Sequence, residues 1–428
     1  MKHSVVEVKL ANGSQGLFID VPGATVMCYE LNFRAGEYLV PREKWEVPHL
    51  LEHVLLGANE KFAKARLFQA EVEKNGAYAN ASTGIVSIGY EAECADFEWQ
   101  RILELLLLAI TKPLFLREEY RAEYGNIRDE LTARSNNHFR MLQASISEAH
   151  GLIAMTDRER IKQMKNVRRQ DLIDHYMRTH VTANLRFVIA GNLNGRRKTI
   201  SRILESIELP KRGKRFELPP ERPMNLNNPI FILRPAVRNL YFGLSTFKLA
   251  RLEDPEVDAM ELVNSMLTAT LHSRILGEAR ERGLVYSMDS GLDIARNFSG
   301  WWFSAQVLPR NAKPLFEIIT GELKRVRAGD ISNEDLEAAK QYLLGRHQRS
   351  AQTVAGTAAG YASRYYFDGV INDYDRIPKR IAAVTRRRAV DSAESLFTDR
   401  IKGLGFLGGS TSRKLTEPLQ ELVQPLWQ

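Results

Sequence analysis

Cysteine is scarce in this chain: only Cys28 and Cys94 occur among 428 residues. Two thiols cannot form the disulfide framework of a small secreted protein, and thiols in apolar stretches are usually buried. Long apolar runs are also missing, since the longest, Leu105–Ile110, is far shorter than the roughly 20 residues that span a bilayer. The N-terminus contains no apolar core of signal-peptide length. We therefore expect no membrane partner and a cytoplasmic, reducing location.

Concentrated basic charge is missing as well. The net charge is +8, but the basic runs, such as Arg196–Lys198 and Arg386–Arg388, are short and contain no aromatic residue. Surfaces that bind single-stranded nucleic acid interleave basic and aromatic side chains. These runs are therefore predicted to be solvated surface, and no nucleic-acid partner is expected.

The length favours two domains. The polar, proline-rich stretch 213–228 is typical of a linker, which divides the chain into domains 1–212 and 229–428. Near the end of each half, two helix-like stretches lead to a strand that ends in glycine, Asn184–Gly191 and Gly403–Gly408. This agreement indicates an internal duplication, with chance similarity of amphipathic segments as the alternative.

Alternating apolar and polar residues predict strands over Thr25–Arg34 and Trp301–Val307, while a long helical pattern covers 333–366. Strands and helices of this kind in each half favour an α+β fold. We expect two homologous domains, each a mainly antiparallel sheet with helices packed on one face.

The most informative motif is His49-Leu50-Leu51-Glu52-His53. On a helix, the two histidines are about one turn apart and project from one face, with Glu52 beside them. Imidazoles suit Zn²⁺, and a neighbouring carboxylate can accept a proton from the water that the ion activates. This residue order is that of the inverzincin motif. The alternative is a surface helix with two unrelated histidines.

A third zinc ligand is expected from a second rigid element. The helical pattern that begins at Glu118 contains Glu123 and Glu130, which are seven residues apart. They share nearly one face but lie about 10 Å apart along the axis, so both cannot easily bind one ion. The spacing predicts one ligand and one orienting partner, without deciding which is which. Two solvated acids on a helix face are the alternative.

The chain resembles the pitrilysin family of inverzincins, which includes insulin-degrading enzyme and the mitochondrial processing peptidase. The resemblance rests on His49-x-x-Glu52-His53, followed after 76 residues by Glu130, and on a further glutamate at position 123. It implies that His49, His53 and Glu130 bind Zn²⁺, that Glu52 is the general base and that Glu123 orients a ligand.

The segment Asn80-Ala81-Ser82-Thr83 resembles the family's Asn-Ala-x-Thr strand, which carries the substrate backbone. The resemblance therefore implies that these four residues bind an unfolded or extended peptide as an added strand.

The second domain contains no metal motif and departs from the family pattern at one position. An arginine usually stands seven residues before a tyrosine that assists catalysis. Here Tyr286 is present, but Ala279 occupies the arginine position and Arg280 is one step off. One residue is about 100° around a helix, so Arg280 is expected to point elsewhere.

The resemblance as a whole implies a zinc metalloendopeptidase for unfolded or extended peptides. A non-catalytic, peptide-binding partner subunit of the same fold is the alternative. Two domains correspond to half of the four-domain enclosure that the family uses, so we expect a homodimer or a heterodimer with a related subunit.

Overall fold

The chain folds as two units, each assembled from three segments. The computed structural model describes residues 1–210, 213–372 and 374–428. The first unit contains residues 1–133, 158–219 and 348–374, and the second contains 134–157, 220–347 and 375–428. The units differ from the domains expected at 1–212 and 229–428 in two exchanged segments. Residues 134–157 belong to the second unit, and residues 348–374 belong to the first. Lys211 and Arg212, at the end of the expected first domain, lie outside the described residues.

The first unit contains a six-stranded sheet. Its strands are β1 (Ser4–Lys9), β2 (Gln15–Asp20), β3 (Val26–Phe33), β4 (Tyr78–Thr83), β5 (Ile88–Ala95) and β6 (Leu185–Gly191). They lie in the order β1-β2-β6-β3-β5-β4. Only β2 and β6 pair in parallel, and the other neighbours are antiparallel.

The second unit contains a five-stranded sheet of β7 (Ile230–Leu233), β8 (Leu240–Lys248), β9 (Met288–Ile294), β10 (Ser299–Val307) and β11 (Ile401–Gly408). The order is β7-β11-β8-β10-β9, with one parallel pair, β7 and β11. Leaving β1 aside, both sheets connect five strands in the same way, including the parallel pair and the final edge strand. This shared connectivity confirms the predicted α+β class with two related, mainly antiparallel domains.

Sixteen α-helices lie in the described residues. In chain order they are α1 (Val47–Leu55), α2 (Ala65–Glu73), α3 (Trp99–Thr111), α4 (Arg117–Arg134), α5 (His138–Ala149), α6 (Asp157–Met164), α7 (Arg169–Thr179), α8 (Arg197–Glu205), α9 (Asp254–Thr268), α10 (Leu276–Glu281), α11 (Pro309–Arg327), α12 (Asn333–Ser350), α13 (Val354–Asp368), α14 (Ile377–Ala382), α15 (Arg386–Ser395) and α16 (Thr416–Val423). None of these helices has the length and apolar composition required to cross a membrane.

The long helix expected over 333–366 is two helices, α12 and α13. The second begins after Thr353, whose hydroxyl oxygen accepts a hydrogen bond from the Gly356 N–H and so caps the new helix. The break falls where the chain passes from one unit to the other, because α12 belongs mainly to the second unit and α13 to the first.

Most helices of the first unit cover the face of the sheet that carries Tyr29, Leu31 and Phe33, which are buried with the apolar residues of α1 and α3. The opposite face contacts α13, where Glu30 lies beside Tyr366. The second unit repeats the arrangement, with α5 against the face of β8 and β11 that its main core does not use. A helix from segment 348–374 thus covers the second face of the first sheet, and a helix from segment 134–157 covers that of the second.

Candidate metal centre

Helix α1 holds both histidines of the motif. Pro48 stands in its first turn, where the missing N–H costs no hydrogen bond. Leu50, Leu51, Val54 and Leu55 are almost completely buried, so this face of the helix is fixed in the core. The other face carries His49 and His53, whose ring centroids are 5.0 Å apart. The apolar residues of the same nine-residue helix thus determine where the imidazoles point.

Helix α4 brings two carboxylates to opposite sides of this pair. Oε2 of Glu130 lies 3.5 Å from Nε2 of His49 and 3.8 Å from Nε2 of His53. Oε2 of Glu123 instead lies 2.9 Å from Nδ1 of His53. Ile127 and Leu131, fully buried on the same helix, anchor it in the core. Glu130 therefore faces Nε2 of both histidines, and Glu123 faces Nδ1 of His53 on the other side of that ring.

The donor set fits a zinc ion. Bonds of about 2.0–2.2 Å at a tetrahedral centre place two ligand atoms about 3.4 Å apart. The distances from Glu130 to the two imidazole nitrogens, 3.5 and 3.8 Å, are close to this value. Two nitrogens and one carboxylate oxygen also match the three-ligand set of hydrolytic zinc sites, which leaves a position for water. His49, His53 and Glu130 are the residues that could hold the ion.

Glu52 lies beside the two histidines. Ligand atoms of His49, Glu52 and His53 all lie within 4.8 Å of one another. Burial raises the pKa of the Glu52 carboxyl, although both histidines and a hydrogen bond from Thr83 oppose the shift. A carboxylate with a raised pKa, close to the two imidazoles, is placed to exchange a proton with a water molecule there.

Strand β4 lies at the edge of the sheet and contacts α1. Ala81 pairs with Tyr90 and Thr83 with Ile88 on β5, while the other side of β4 pairs with no strand in the described residues. Asn80 and Ser82 are exposed, whereas Ala81 and Thr83 are half-buried on the opposite face. The four residues predicted to bind the substrate thus present a backbone edge that pairs with no described strand, next to the helix that carries Glu52.

Glu46 is a member of the site that sequence reasoning missed. This fully buried side chain precedes α1, and its Oε2 lies 3.0 Å from Nδ1 of His49. Arg160 holds the same carboxylate through Nε at 2.5 Å and Nη2 at 3.0 Å. The position three residues before His49 allows a contact. Acids at that spacing are common on solvated helix surfaces, however, so the spacing alone does not identify Glu46.

The two histidines differ in their electrostatic surroundings. Burial lowers the pKa of His49, but hydrogen bonds with Glu130 and Glu46 outweigh it and raise the pKa to about 9. The hydrogen bond from His53 lowers the pKa of Glu123. His49 therefore sits between acceptors that favour positive charge on its ring.

Tyr286 belongs to the second unit, whereas the other predicted site residues belong to the first. Its side chain is 83% exposed. Ala279, at the position where the family has arginine, is completely buried. The guanidinium of Arg280 lies 4.9 Å from the centre of the Tyr286 ring and donates a hydrogen bond to the Tyr286 carbonyl. An exposed arginine–tyrosine pair is thus present, one position from the family pattern.

Two family models match consecutive parts of the chain. The model described as insulinase, peptidase family M16, matches residues 31–161. The model described as the peptidase M16 inactive domain matches residues 166–343. Together they cover more than two thirds of the sequence. The first match contains both histidines of the motif and the glutamates of the candidate metal centre, and the second contains Tyr286.

Several solved structures share the fold over nearly the whole chain. A protease from Helicobacter pylori is 17% identical, with a TM-score of 0.82 over 95% of this chain and 100% of its own. A peptidase M16 inactive domain from Pseudomonas fluorescens is 16% identical, with a TM-score of 0.81 over 95% and 98%. An M16-like peptidase from Alicyclobacillus acidocaldarius is 17% identical, with a TM-score of 0.78 over 96% and 99%.

At these identities the structural likeness establishes the fold alone. None of the curated proteins matches the chain. The two family models nevertheless describe one family, and they match consecutive parts of the chain, 31–161 and 166–343. The chain therefore belongs to the M16 family of peptidases.

Proposed function

We propose that this chain is a zinc-dependent endopeptidase that cleaves unfolded or extended peptides. The observation that carries the proposal is the approach of the Glu130 carboxylate to Nε2 of both His49 and His53, with Glu52 beside them. A zinc ion bound there supplies a Lewis acid and makes water more acidic. His49, His53 and Glu130 would hold this ion.

Glu52 has the proton-transfer role. Its carboxylate accepts a proton from the attacking water as the water oxygen bonds to the scissile carbonyl carbon. The same proton then passes to the leaving nitrogen when the carbon–nitrogen bond breaks, so the carboxylate is regenerated. The position of Glu52 beside both histidines supports this role.

The substrate class follows from the edge strand. A peptide that pairs with β4 adds one strand to the sheet through backbone hydrogen bonds, with Asn80, Ala81, Ser82 and Thr83 as its partners. Only an extended segment with unpaired backbone groups can bind in this way. The proposal therefore favours unfolded polypeptide over folded protein.

The test uses a quenched, unstructured peptide and the zinc-loaded protein. We expect hydrolysis by the wild type, and Glu52→Gln should keep its zinc while losing activity by at least about 10²-fold. Glu118→Gln, which changes an exposed glutamate on α4, is the matched control. A wild type that binds no zinc, or a zinc-loaded Glu52→Gln variant with full turnover, would overturn the proposal.

A non-catalytic, peptide-binding partner subunit is the second candidate. It is favoured by the match of residues 166–343 to an M16 inactive domain and by the alanine at position 279. Such a subunit would bind the unstructured peptide and leave it intact even when loaded with zinc. Equilibrium binding and product analysis on the same sample separate the two functions.

For the cellular setting we propose a reducing compartment such as the cytoplasm. Both cysteines, Cys28 and Cys94, are buried and unbonded to each other. Burial raises the pKa of both thiols, which disfavours the reactive thiolate. Such thiols serve packing, and the fold needs no oxidising environment for them.

A further inference from the structure

The buried carboxylate of Glu46 contacts the ring nitrogen of His49 that faces away from Glu130. Oε2 of Glu46 lies 3.0 Å from Nδ1, while Nε2 on the other side of the ring lies 3.5 Å from Glu130. An ionised carboxylate only accepts hydrogen bonds, so Nδ1 must carry the hydrogen. In a neutral ring, this leaves the lone pair on Nε2, which is the nitrogen aimed at the candidate metal position.

We propose that Glu46 is a positioning residue, which fixes His49 in the tautomer and ring orientation that bind a metal ion. The proposal rests on the metal site of the proposed function. It concerns affinity for the ion, because Glu46 acts through His49 and lies behind the imidazole. Carboxylate partners of this kind typically change metal affinity by about 10- to 100-fold when they are removed.

Arg160 makes Glu46 suitable for this role. Its guanidinium contacts both carboxylate oxygens, with Nε at 2.5 Å from Oε1 and Nη2 at 3.0 Å from Oε2. A two-point contact prevents the carboxylate from rotating away from His49. The side chains of Glu46 and Arg160 are only 0% and 8% exposed, so water cannot readily replace either partner.

The second histidine of the motif is supported differently. Its partner, Glu123, has a side chain that is 21% exposed and also accepts a hydrogen bond from Asn126. Water can therefore substitute in part for Glu123, whereas the side chain of Glu46 is not exposed to it. Glu46 is accordingly the more buried of the two supports.

Glu46→Gln tests the contact with little change of shape. The introduced amide has one oxygen, and its nitrogen cannot accept a hydrogen bond. If the amide oxygen faces His49 and Nη2 of Arg160, the amide nitrogen opposes Nε of Arg160 and one contact is lost. In the other orientation the amide nitrogen opposes both His49 and Nη2, and two contacts are lost. We expect zinc affinity, measured by competition with a chelator, to fall by about 10- to 100-fold.

A second variant separates positioning from folding. Glu46→Leu combined with Arg160→Met removes both buried charges together, a change that is often neutral for stability. We expect the metal-free double variant to melt near the wild-type temperature but to bind zinc more weakly. The absorption spectrum of bound Co²⁺ should change in both variants, because it reports the geometry of the ligands.

The matched control is Glu322→Gln, which breaks another buried glutamate–arginine pair, with Arg274 at 2.5 Å. It should leave zinc affinity and the Co²⁺ spectrum unchanged. If the wild type binds zinc and both Glu46 variants bind it equally well, the role of Glu46 is excluded while the metal site stands. If the wild type binds no zinc, the proposed function fails as well.

Discussion

The hydroxyl of Thr83 donates a hydrogen bond of 3.1 Å to Oε2 of Glu52. Thr83 is the last residue of edge strand β4, and Glu52 lies on α1, so this bond joins the proposed peptide-binding edge to the proposed base. The bond also opposes the rise in the pKa of Glu52 that burial causes. Thr83 thus affects the orientation and the acidity of the carboxylate without being a metal ligand.

Replacement of Thr83 by valine should therefore reduce kcat more than it changes KM. The side chains are similar in size, and a lost hydrogen bond to a charged group costs about 1.5–3 kcal/mol. We expect kcat to fall by roughly 10- to 100-fold, while the backbone of β4 still binds the peptide. Steady-state kinetics on the quenched peptide measure both constants. Thr199→Val, on α8, is the control, and an increase in KM alone would contradict the assignment.

Substitutions of the two glutamates of α4 should reduce zinc retention to different extents. Glu130→Gln should remove most of the bound zinc, because its carboxylate faces both Nε2 atoms. Glu123→Gln should retain more, with a loss of about 10- to 100-fold in affinity, because Glu123 contacts only Nδ1 of His53. Elemental analysis after dialysis gives the occupancies, with Glu118→Gln as the control. The opposite ranking would exchange the two roles.

A histidine outside the site should make the fold sensitive to acid. His175 is buried; its Nε2–H donates to the Ala35 carbonyl, and its Nδ1 accepts a hydrogen bond from Arg178. The ring is therefore neutral, and burial lowers its pKa to about 4. In the unfolded chain the His175 ring protonates near pH 6.5. The contribution of the neutral ring to the free energy of unfolding is therefore complete above pH 6.5 and is lost as the pH falls to about 4. The shift corresponds to about 3 kcal/mol.

Unfolding by urea at a series of pH values tests this expectation. His175→Gln should be less stable than the wild type at pH 7, because it disturbs buried hydrogen bonds. It should, however, lose less stability than the wild type between pH 6.5 and 4. If the free energy of unfolding falls with pH by the same amount in both proteins, another group causes the acid sensitivity.

Local patterns predicted the individual elements well. The alternation of Tyr29, Leu31 and Phe33 predicted a strand over Thr25–Arg34, and β3 covers Val26–Phe33. The assignment of α5 to the second unit and α13 to the first was not predictable, because an apolar helix face predicts packing but does not identify the sheet. Which sheet receives a helix depends on contacts between residues that are far apart in sequence.

In the candidate metal centre, too, local spacing was predictive and distant contacts were not. One helical turn between His49 and His53 was readable from spacing alone, and the structure places both rings on one face of α1. Glu46 was not predicted because its burial beside His49 depends on an ion pair with Arg160, which is 114 residues away in the sequence. A buried acid is tolerated only with such a partner, and spacing along the chain does not reveal the partner.

The last prediction concerns assembly. The side chains of His53 and Glu130 are 26% and 37% exposed, so in a single chain the proposed site is open to water. Closure by a second chain would exclude water and strengthen the electrostatic interactions with the substrate. We therefore expect a dimer, either of two copies or with a related subunit. Tyr286, which is 83% exposed, is available to reach a second chain.

Light scattering and activity measured over a dilution series test for a dimer. Complementation then tests for a homodimer in which Tyr286 serves the other copy. The Glu52→Gln and Tyr286→Phe variants should each have low peptidase activity alone. Mixing the two proteins should restore activity, because one site in the mixed dimer combines an intact Glu52 with an intact Tyr286. A heterodimer instead predicts that the isolated chain has little activity until its partner is added. A monomer whose specific activity is independent of dilution and of added partner would rule out both forms.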